Sequence, residues 1–343
     1  MDTTVCQELT QRGYELIETH ISRVYLRSHE VFKTKRPVEL GFLDFRTLEA
    51  RELACQAELE LNRRLAPQVY LGVAALVRGA QQELEFVARD QLHGRPLLDV
   101  AVHMRRLSDD DRADTRLARG SLDRAEIEQI ARLIARFHHT ARADAETGAY
   151  GLPDRIAGNV EENFSQAHAL AADHLASTEL EHIERYQRTF LTEHAALFTA
   201  RVQGGFVRDG HGDLRLEHVY RNPDGNHVII DCIEFNQRFR FADVCADLAF
   251  LSMDLRSHGR SDLADLLLAA YAEESGDYAL YELVDFYESY RAFVRAKVGA
   301  FLAHDSDVRP VVRQAAHAAA RRHFLLALSA AQPPLVRPRL IVC

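Results

Sequence analysis

Polar and apolar residues alternate in two short runs near the start of the chain, SRVYLRS from Ser22 and EVFKTK from Glu30, separated by a polar break. Alternation of period two predicts a pair of half-buried strands, and the break between them makes the pair a hairpin. A helical period follows from about Thr47 to Ala66 and stops before Pro67, which disfavours helix at the residue preceding it. Three more strand-like stretches come next: VYLGVAALV, ELEFVARD and DVAVHMRRL. A hairpin, one helix and three further strands predict a five-stranded antiparallel α+β unit over residues 1–107.

After Leu107 the pattern changes. SDDDRADTRLARGS is charged and rich in breakers and reads as a connector. Beyond it helical spacing dominates. Asp123 and Glu126 form a capping signal, Ile127, Ile130, Ile134 and Phe137 repeat on one face, and amphipathic stretches cover roughly 161–200 and 260–330. Residues 108–330 are therefore expected to form a larger, mainly helical unit. The end, AQPPLVRPRLIVC, reads as a linker (331–343) with an apolar stub.

Composition narrows the function classes. The 343 residues are 47% apolar and 27% charged, which suits two packed units. A net charge of -9 lacks the basic footprint that nucleic-acid binding requires. The five cysteines are scattered and contain no C-x-x-C, so neither a disulfide framework nor a zinc site is indicated. MDTTVCQELT has no leader pattern and no apolar run is long enough to span a bilayer, so a cytoplasmic protein without nucleic-acid or membrane partners is expected.

Candidate chemistry concentrates in GHGDLRLEHVYRNPDGNHVIIDCIEF. Its centre has the composition of a tight turn, and LEHVY and HVIID flank it as hairpin strands. A turn centred on Pro223–Asp224–Gly225 sets Asp231 opposite Glu217 and beside His218, with Asp213 just before the first strand and Glu234 three residues beyond Asp231. Two separated carboxylates suit phosphoryl transfer. One orients the acceptor hydroxyl and takes its proton, and the other holds Mg²⁺ against nucleotide phosphates. The plain alternative is that these are hairpin-end charges facing water.

HGDLRLEH and IIDCIEF resemble the catalytic and metal-binding segments of the aminoglycoside phosphotransferase and choline kinase superfamily, which has the bilobal protein-kinase-like fold. The longer segments VFKTKRPVELGFLDF, GHGDLRLEHVY, DCIEFNQRFRFADVCADLAFLSMDL and YRAFVRAKV resemble a bacterial subgroup in which such a domain is fused to a C-terminal P-loop ATPase-like domain. The resemblance covers nearly the whole chain. It implies an ATP-dependent, Mg²⁺-requiring enzyme that phosphorylates a hydroxyl of a small molecule of aminoglycoside, sugar or amino-alcohol type. It also implies Asp213 as catalytic base with His211 as its structural neighbour, and Asp231 as metal ligand. Asn is usual five residues after the catalytic Asp, and here the position is His218. Imidazole is a poorer Mg²⁺ ligand than an amide oxygen, so His218 binds metal weakly, bonds a phosphate, or packs.

For the nucleotide, the resemblance implies a strand lysine paired with a helix glutamate. Lys33 is the expected lysine, and Lys35, on the same face by alternation, is the reserve. Ala54, Glu58, Leu61 and Leu65 follow helical spacing, so Glu58 sits on or beside the apolar stripe and needs a cation unless it reaches water. No G-x-x-x-x-G-K-[ST] and no G-x-G-x-x-G occurs, and Thr19–Ser22 is the expected phosphate-covering turn, with Ser22 at its end. Adenine contacts fall at Val102–Met104 (Val102 and Met104 above all), unless these are ordinary strand core. The resemblance implies that Asp243 and Asp247 help brace the catalytic loop, although a helix N-terminal charge also accounts for Asp243. His138 reads as a hydrogen-bonded core histidine ahead of a metal ligand, and Arg291, Arg295 and Lys297 face solvent or, as the second choice, a substrate. Two other readings compete: a catalytically weak, nucleotide-binding regulatory module that partners a P-loop ATPase-like protein, and a metal-dependent hydrolase using Asp213, His218 and Asp231.

Overall fold

The computed structural model describes residues 3–41 and 43–332, so the stub RPRLIVC lies outside the described residues. The chain divides into two compact units: residues 1–123 with 216–240, and residues 124–215 with 241–343. This differs from a division after Leu107. The stretch expected as a connector is packed instead: Ala113, Arg116 and Leu117 are buried in a short helix, and Arg112 forms a β-bridge to Tyr220. Its charges are satisfied locally, Arg112 Nε lying 2.6 Å from Asp114 Oδ1, so charge density there marks a tight turn and not a tether.

In the first unit, helix α1 (Thr3–Gln11) precedes strands β1 (Glu15–Glu18), β2 (Ser22–Leu26) and β3 (Glu30–Lys35). A minimal ladder, β4 (Glu39–Leu40) with β5 (Leu43–Asp44), leads to helix α2 (Leu48–Asn62). Strands β6 (Tyr70–Arg78), β7 (Leu84–Ala88) and β8 (Asp99–Arg105) complete one antiparallel sheet in the order β1-β2-β3-β8-β6-β7. Six strands thus replace the five expected. The extra one, β1, is a largely exposed edge strand with too little alternation to be seen in the sequence.

The sheet is covered on both faces, and this explains the strand patterns. Val31 packs with Cys55 and Leu59 of α2 and with Val100, Val102 and Met104 of β8. The intervening Phe32 packs on the opposite face with Tyr25, Leu9 and Ala101. Because side chains alternate, Lys33 and Lys35 must emerge on the α2 face, inside an apolar layer. Helix α2 starts at Thr47, whose hydroxyl accepts from Ala50 N–H at 3.1 Å. It ends at Asn62, four residues earlier than its apolar period suggests, and the chain reaches Pro67 through turns.

The hairpin Val219–Arg221/His227–Ile229 also belongs to this unit. Its register, Val219 with Ile229 and Tyr220 with Val228, is the one expected from a turn at Pro223–Asp224–Gly225. Gly225 carries the positive φ (85°) that such a turn needs.

The second unit is mainly helical, with long helices Arg124–Thr140, Pro153–Ala171, Ser177–Glu193, Val244–Ser257, Ser261–Ser275, Val284–His304 and Pro310–Ala330. Val244–Ser257 is the innermost of these, buried continuously from Val244 to Met253. Among the described residues no helix is long and apolar enough to cross a membrane. One buried ion cluster ties the unit together. Arg201 holds Asp243 through Nε (2.8 Å) and Nη2 (2.6 Å), and Asp277 through Nη1 (2.5 Å) and Nη2 (2.8 Å). Asp243 in turn caps the Val244–Ser257 helix by accepting from Cys245 N–H at 2.9 Å. Removing the guanidinium would strand two buried carboxylates. Arg201→Met is therefore expected to cost about 3–5 kcal/mol in chemical denaturation, with Arg201→Met/Asp243→Asn/Asp277→Asn recovering much of it.

Candidate active site

In the first unit, sheet, helix and hairpin bring five ionisable side chains together. Lys33 Nζ lies 2.9 Å from Glu58 Oε1 and 2.6 Å from Asp231 Oδ1. Lys35 Nζ lies 2.5 Å from the other Glu58 oxygen, Oε2, and also bonds Glu234. Glu58 therefore takes neither the lone partner expected nor the aqueous edge: its side chain is fully buried and answered by both lysines. Burial by itself would raise the Glu58 carboxyl, but the two ammonium groups outweigh it and hold it below its ordinary value. At Glu234 burial, with the charge of Glu58 beside it, outweighs the lysines and pushes the carboxyl up. Burial works against both lysines, yet the surrounding carboxylates raise them above the ordinary lysine value, so both stay charged.

Asp231 is held by its backbone as well as by its charge. It adopts a left-handed conformation, φ 65°, unusual for a non-glycine residue. Its N–H donates to Tyr70 Oη at 3.2 Å, and the next N–H, of Cys232, donates to Asn62 Oδ1 at 2.9 Å. Tyr70 and Asn62 had no local sequence signal, because their roles depend on where β6 and α2 end. His218 is buried, with Nε2 3.7 Å from Asp231 Oδ2 and 3.8 Å from Glu217 Oε1.

The remaining nucleotide candidates divide. Ser22 is paired with Lys35 across β2–β3, which sets both on the same face. Its hydroxyl is buried with no hydrogen-bond partner, an orphaned polar atom on the lysine side of the sheet. Val102 and Met104, in contrast, are core of the central strand. Val102 is paired to Lys33 on one side and Val73 on the other, Met104 to Val31 and Tyr70, and both side chains lie in the α2-face cluster. Both residues thus lie in ordinary strand core, the alternative to an adenine contact that their sequence left open.

The second unit holds the H-G-D loop. His211 and Gly212 donate their N–H groups to Asp247, at 2.6 Å to Oδ2 and 2.8 Å to Oδ1. Gly212 has φ 86°, which suits glycine at the apex. His211 is buried, and its Nδ1 faces the N–H of Asp213 at 3.3 Å. Asp247 is itself buried, and burial alone would raise its carboxyl. The hydrogen bond from His138 and the charges of His138, His211 and Arg291 outweigh this and hold it well below the carboxylate range. His138 is a core histidine, bonded through Nδ1 to Tyr271 Oη at 2.9 Å and through Nε2 to Asp247 at 3.4 Å.

One cation behaves differently from expectation. Arg291 does not face solvent. It is buried, donates to Ala246 O at 3.1 Å and approaches Asp247. Lys297 bonds Asn163 Oδ1 at 2.6 Å and Gln166 Oε1 at 2.8 Å. Arg215, two residues after Asp213, was passed over in the sequence. Its Nε and Nη2 each lie 2.8 Å from an Asp213 oxygen, a bidentate grip on a carboxylate that is about a quarter exposed. Among the described residues no group of three or more His, Cys, Asp or Glu is arranged to hold a metal.

Residues 10–287 match the model of the phosphotransferase enzyme family, APH. The chain belongs to that family. It is 36% identical over 324 residues to uncharacterized proteins of Mycobacterium tuberculosis and Mycobacterium bovis, covering 94% of this chain and 61% of theirs. It thus spans less than two thirds of those relatives. The fold is similar to that of the amicoumacin kinase hAmiN, solved with AMP-PNP, Ca²⁺ and Ami: TM-score 0.52, 11% identity, 94% of this chain and 93% of that one. A choline/ethanolamine kinase family protein from Mesorhizobium loti aligns with TM-score 0.48, 13% identity and coverage of 93% and 92%. The family model thus gives the family, and the likeness to hAmiN concerns the α+β fold alone.

Asp247 offers a test of loop bracing within the second unit. Its folded pKa is depressed, so its contribution is complete above the unfolded value of 3.8 and is lost as pH falls through the lower folded value. Asp247→Asn replaces one acceptor oxygen by an N–H donor and leaves the other neutral, and is expected to cost about 2–3 kcal/mol at pH 7. In denaturation curves taken between pH 6 and pH 2.5, the gap between wild type and variant should narrow only below the ordinary carboxylate range.

Proposed function

We propose that the chain transfers the γ-phosphoryl group of a nucleoside triphosphate, ATP in the first instance, to a hydroxyl of a small molecule. The observation that carries the reading is the half-buried Lys33, held between Glu58 of α2 and Asp231 of the hairpin exit. A phosphate-binding cation placed beside a metal-binding carboxylate is what phosphoryl transfer asks of the nucleotide half.

The residues fit a metal–nucleotide. Three carboxylates face two ammonium groups, so the cluster carries one uncompensated negative charge. Asp231, 44% exposed, offers hard oxygen to a divalent cation, Mg²⁺ by ligand preference. Such a cation would draw its other ligands from phosphate oxygens and water, and once bound it would neutralise charge on the phosphates. Lys33 would bind phosphate oxygens, and the orphaned Ser22 hydroxyl supports a polar ligand on the same side. His218 would orient Asp231 or a phosphate; its nitrogen makes it a poor Mg²⁺ ligand.

In the second unit Asp213 would accept the acceptor's proton, with His211 and Asp247 holding the loop and Arg215 orienting the carboxylate. Acceptors of aminoglycoside, sugar or amino-alcohol type follow from family resemblance. The Arg215 grip on Asp213, together with His218, favours one second reading: a catalytically weak nucleotide-binding module acting on a P-loop ATPase-like partner.

Titration calorimetry with Mg-ATP, followed by a transfer screen over amino alcohols and sugars, separates these readings. The phosphotransferase reading expects Asp231→Ala to weaken Mg-ATP binding by about tenfold or more. It expects Asp213→Ala to keep binding while transfer falls about 10²–10⁴-fold. Binding without turnover on any acceptor would favour the regulatory module, and no Mg-dependent binding by wild type would sink both.

A further inference from the structure

Assigning Lys33 to the phosphates raises an electrostatic difficulty. Glu58 is sealed from solvent, and Lys33 Nζ sits 2.9 Å from its Oε1. A lone lysine drawn toward a phosphate would leave that carboxylate buried and unanswered, which is strongly unfavourable. Lys35 changes this. Its Nζ sits 2.5 Å from the second oxygen, Oε2, and it also holds Glu234. Alternation makes the arrangement possible, since residues two apart on β3 project from one face and can serve the two oxygens of one carboxylate.

Exposure separates the two lysines. The Lys33 side chain is 17% exposed and touches Asp231, which is 44% exposed. The Lys35 side chain is 1% exposed, its two carboxylate partners are 0% and 5% exposed, and its ammonium also lies 5.7 Å from the centre of the Phe45 ring. One ammonium has an open side, and the other has none.

We infer that the lysines divide the work. Lys35 is the standing counter-ion of Glu58 and Glu234, a positioning residue that leaves Lys33 free to move from the carboxylates to nucleotide phosphates. This rests on the phosphotransferase reading above. With Lys35 lost, Lys33 becomes the only cation on Glu58 and is retained there. Neutralising Glu58 then releases it. Neutralising Glu234 does not, because Glu234 is bonded to Lys35 and not to Lys33.

The test is titration calorimetry of Mg-ATP on the full chain, with circular dichroism melts to check folding. Lys35→Met is expected to bind about tenfold more weakly than wild type, and Lys35→Met/Glu234→Gln to stay as weak. Lys35→Met/Glu58→Gln should return to within about threefold of Glu58→Gln alone. A double variant with Glu58→Gln as weak as Lys35→Met, or a Lys35→Met protein that binds like wild type, overturns the division of labour. If Lys35→Met does not fold, Glu58→Gln is compared with Lys35→Met/Glu58→Gln, which lacks both members of the pair. Equal affinities support the inference; a double variant that is about tenfold weaker, or unfolded, overturns it. Failure of wild type to bind Mg-ATP falls on the phosphotransferase reading itself, whereas wild-type binding with no Lys35 effect overturns only this inference.

Discussion

A carboxylate without access to water must be answered by cations, and Glu58 is the point around which the first unit is organised. Its helix supplies the charge, β3 supplies two ammonium groups from one face, and the segment after the hairpin supplies Asp231 and Glu234 to complete the cluster. The partners of Lys33 and Lys35 in that segment lie 198 and 199 residues away along the chain. Desolvation cancels much of the attraction in such a cluster, so its main effect is to make other arrangements costly. A slip of β3 by one residue would turn both lysines to the opposite face and leave Glu58 unpaired.

The second unit answers a buried acid by different means. Asp247 lies in the innermost helix, and two successive backbone N–H groups of the H-G-D loop converge on it. His138 and Arg291, from two further helices, approach the same carboxylate. The loop is thereby built outward from the core. The side chain expected to do chemistry, Asp213, stays partly open while the residues before it are fixed. One unit thus fixes a charge with charges, the other a loop with a charge.

What could be read in the sequence was whatever short-range periodicity encodes. Alternation in EVFKTK placed both lysines on one face, the apolar stripe drew attention to Glu58, and the turn composition of N-P-D-G set the hairpin register. Structure that depends on distant closure was not legible. β1 lies at an edge where pairing, not hydrophobicity, makes the strand. Residues 108–123 look like a linker until Tyr220 bridges to Arg112. Tyr70 and Asn62 gain their roles only when the hairpin exit arrives beside them. Arg291 carries a charge on a helix in the usual way, and nothing in its neighbours announces that it points inward. Val102 and Met104 could be read from the sequence either as a ligand-reaching stretch or as strand core, and it took pairing with distant strands on both sides to make them core.

The left-handed backbone at Asp231 limits what selection can try there. Glycine, asparagine and aspartate enter that conformation most readily, while longer L-residues pay about 1–2 kcal/mol. Of these three, aspartate alone brings a negative charge. Glutamate would keep the charge and strain the chain, and asparagine would keep the chain and lose the charge. The position is therefore specified twice, once by its torsion and once by its chemistry, and a single letter of the amino-acid alphabet meets both demands.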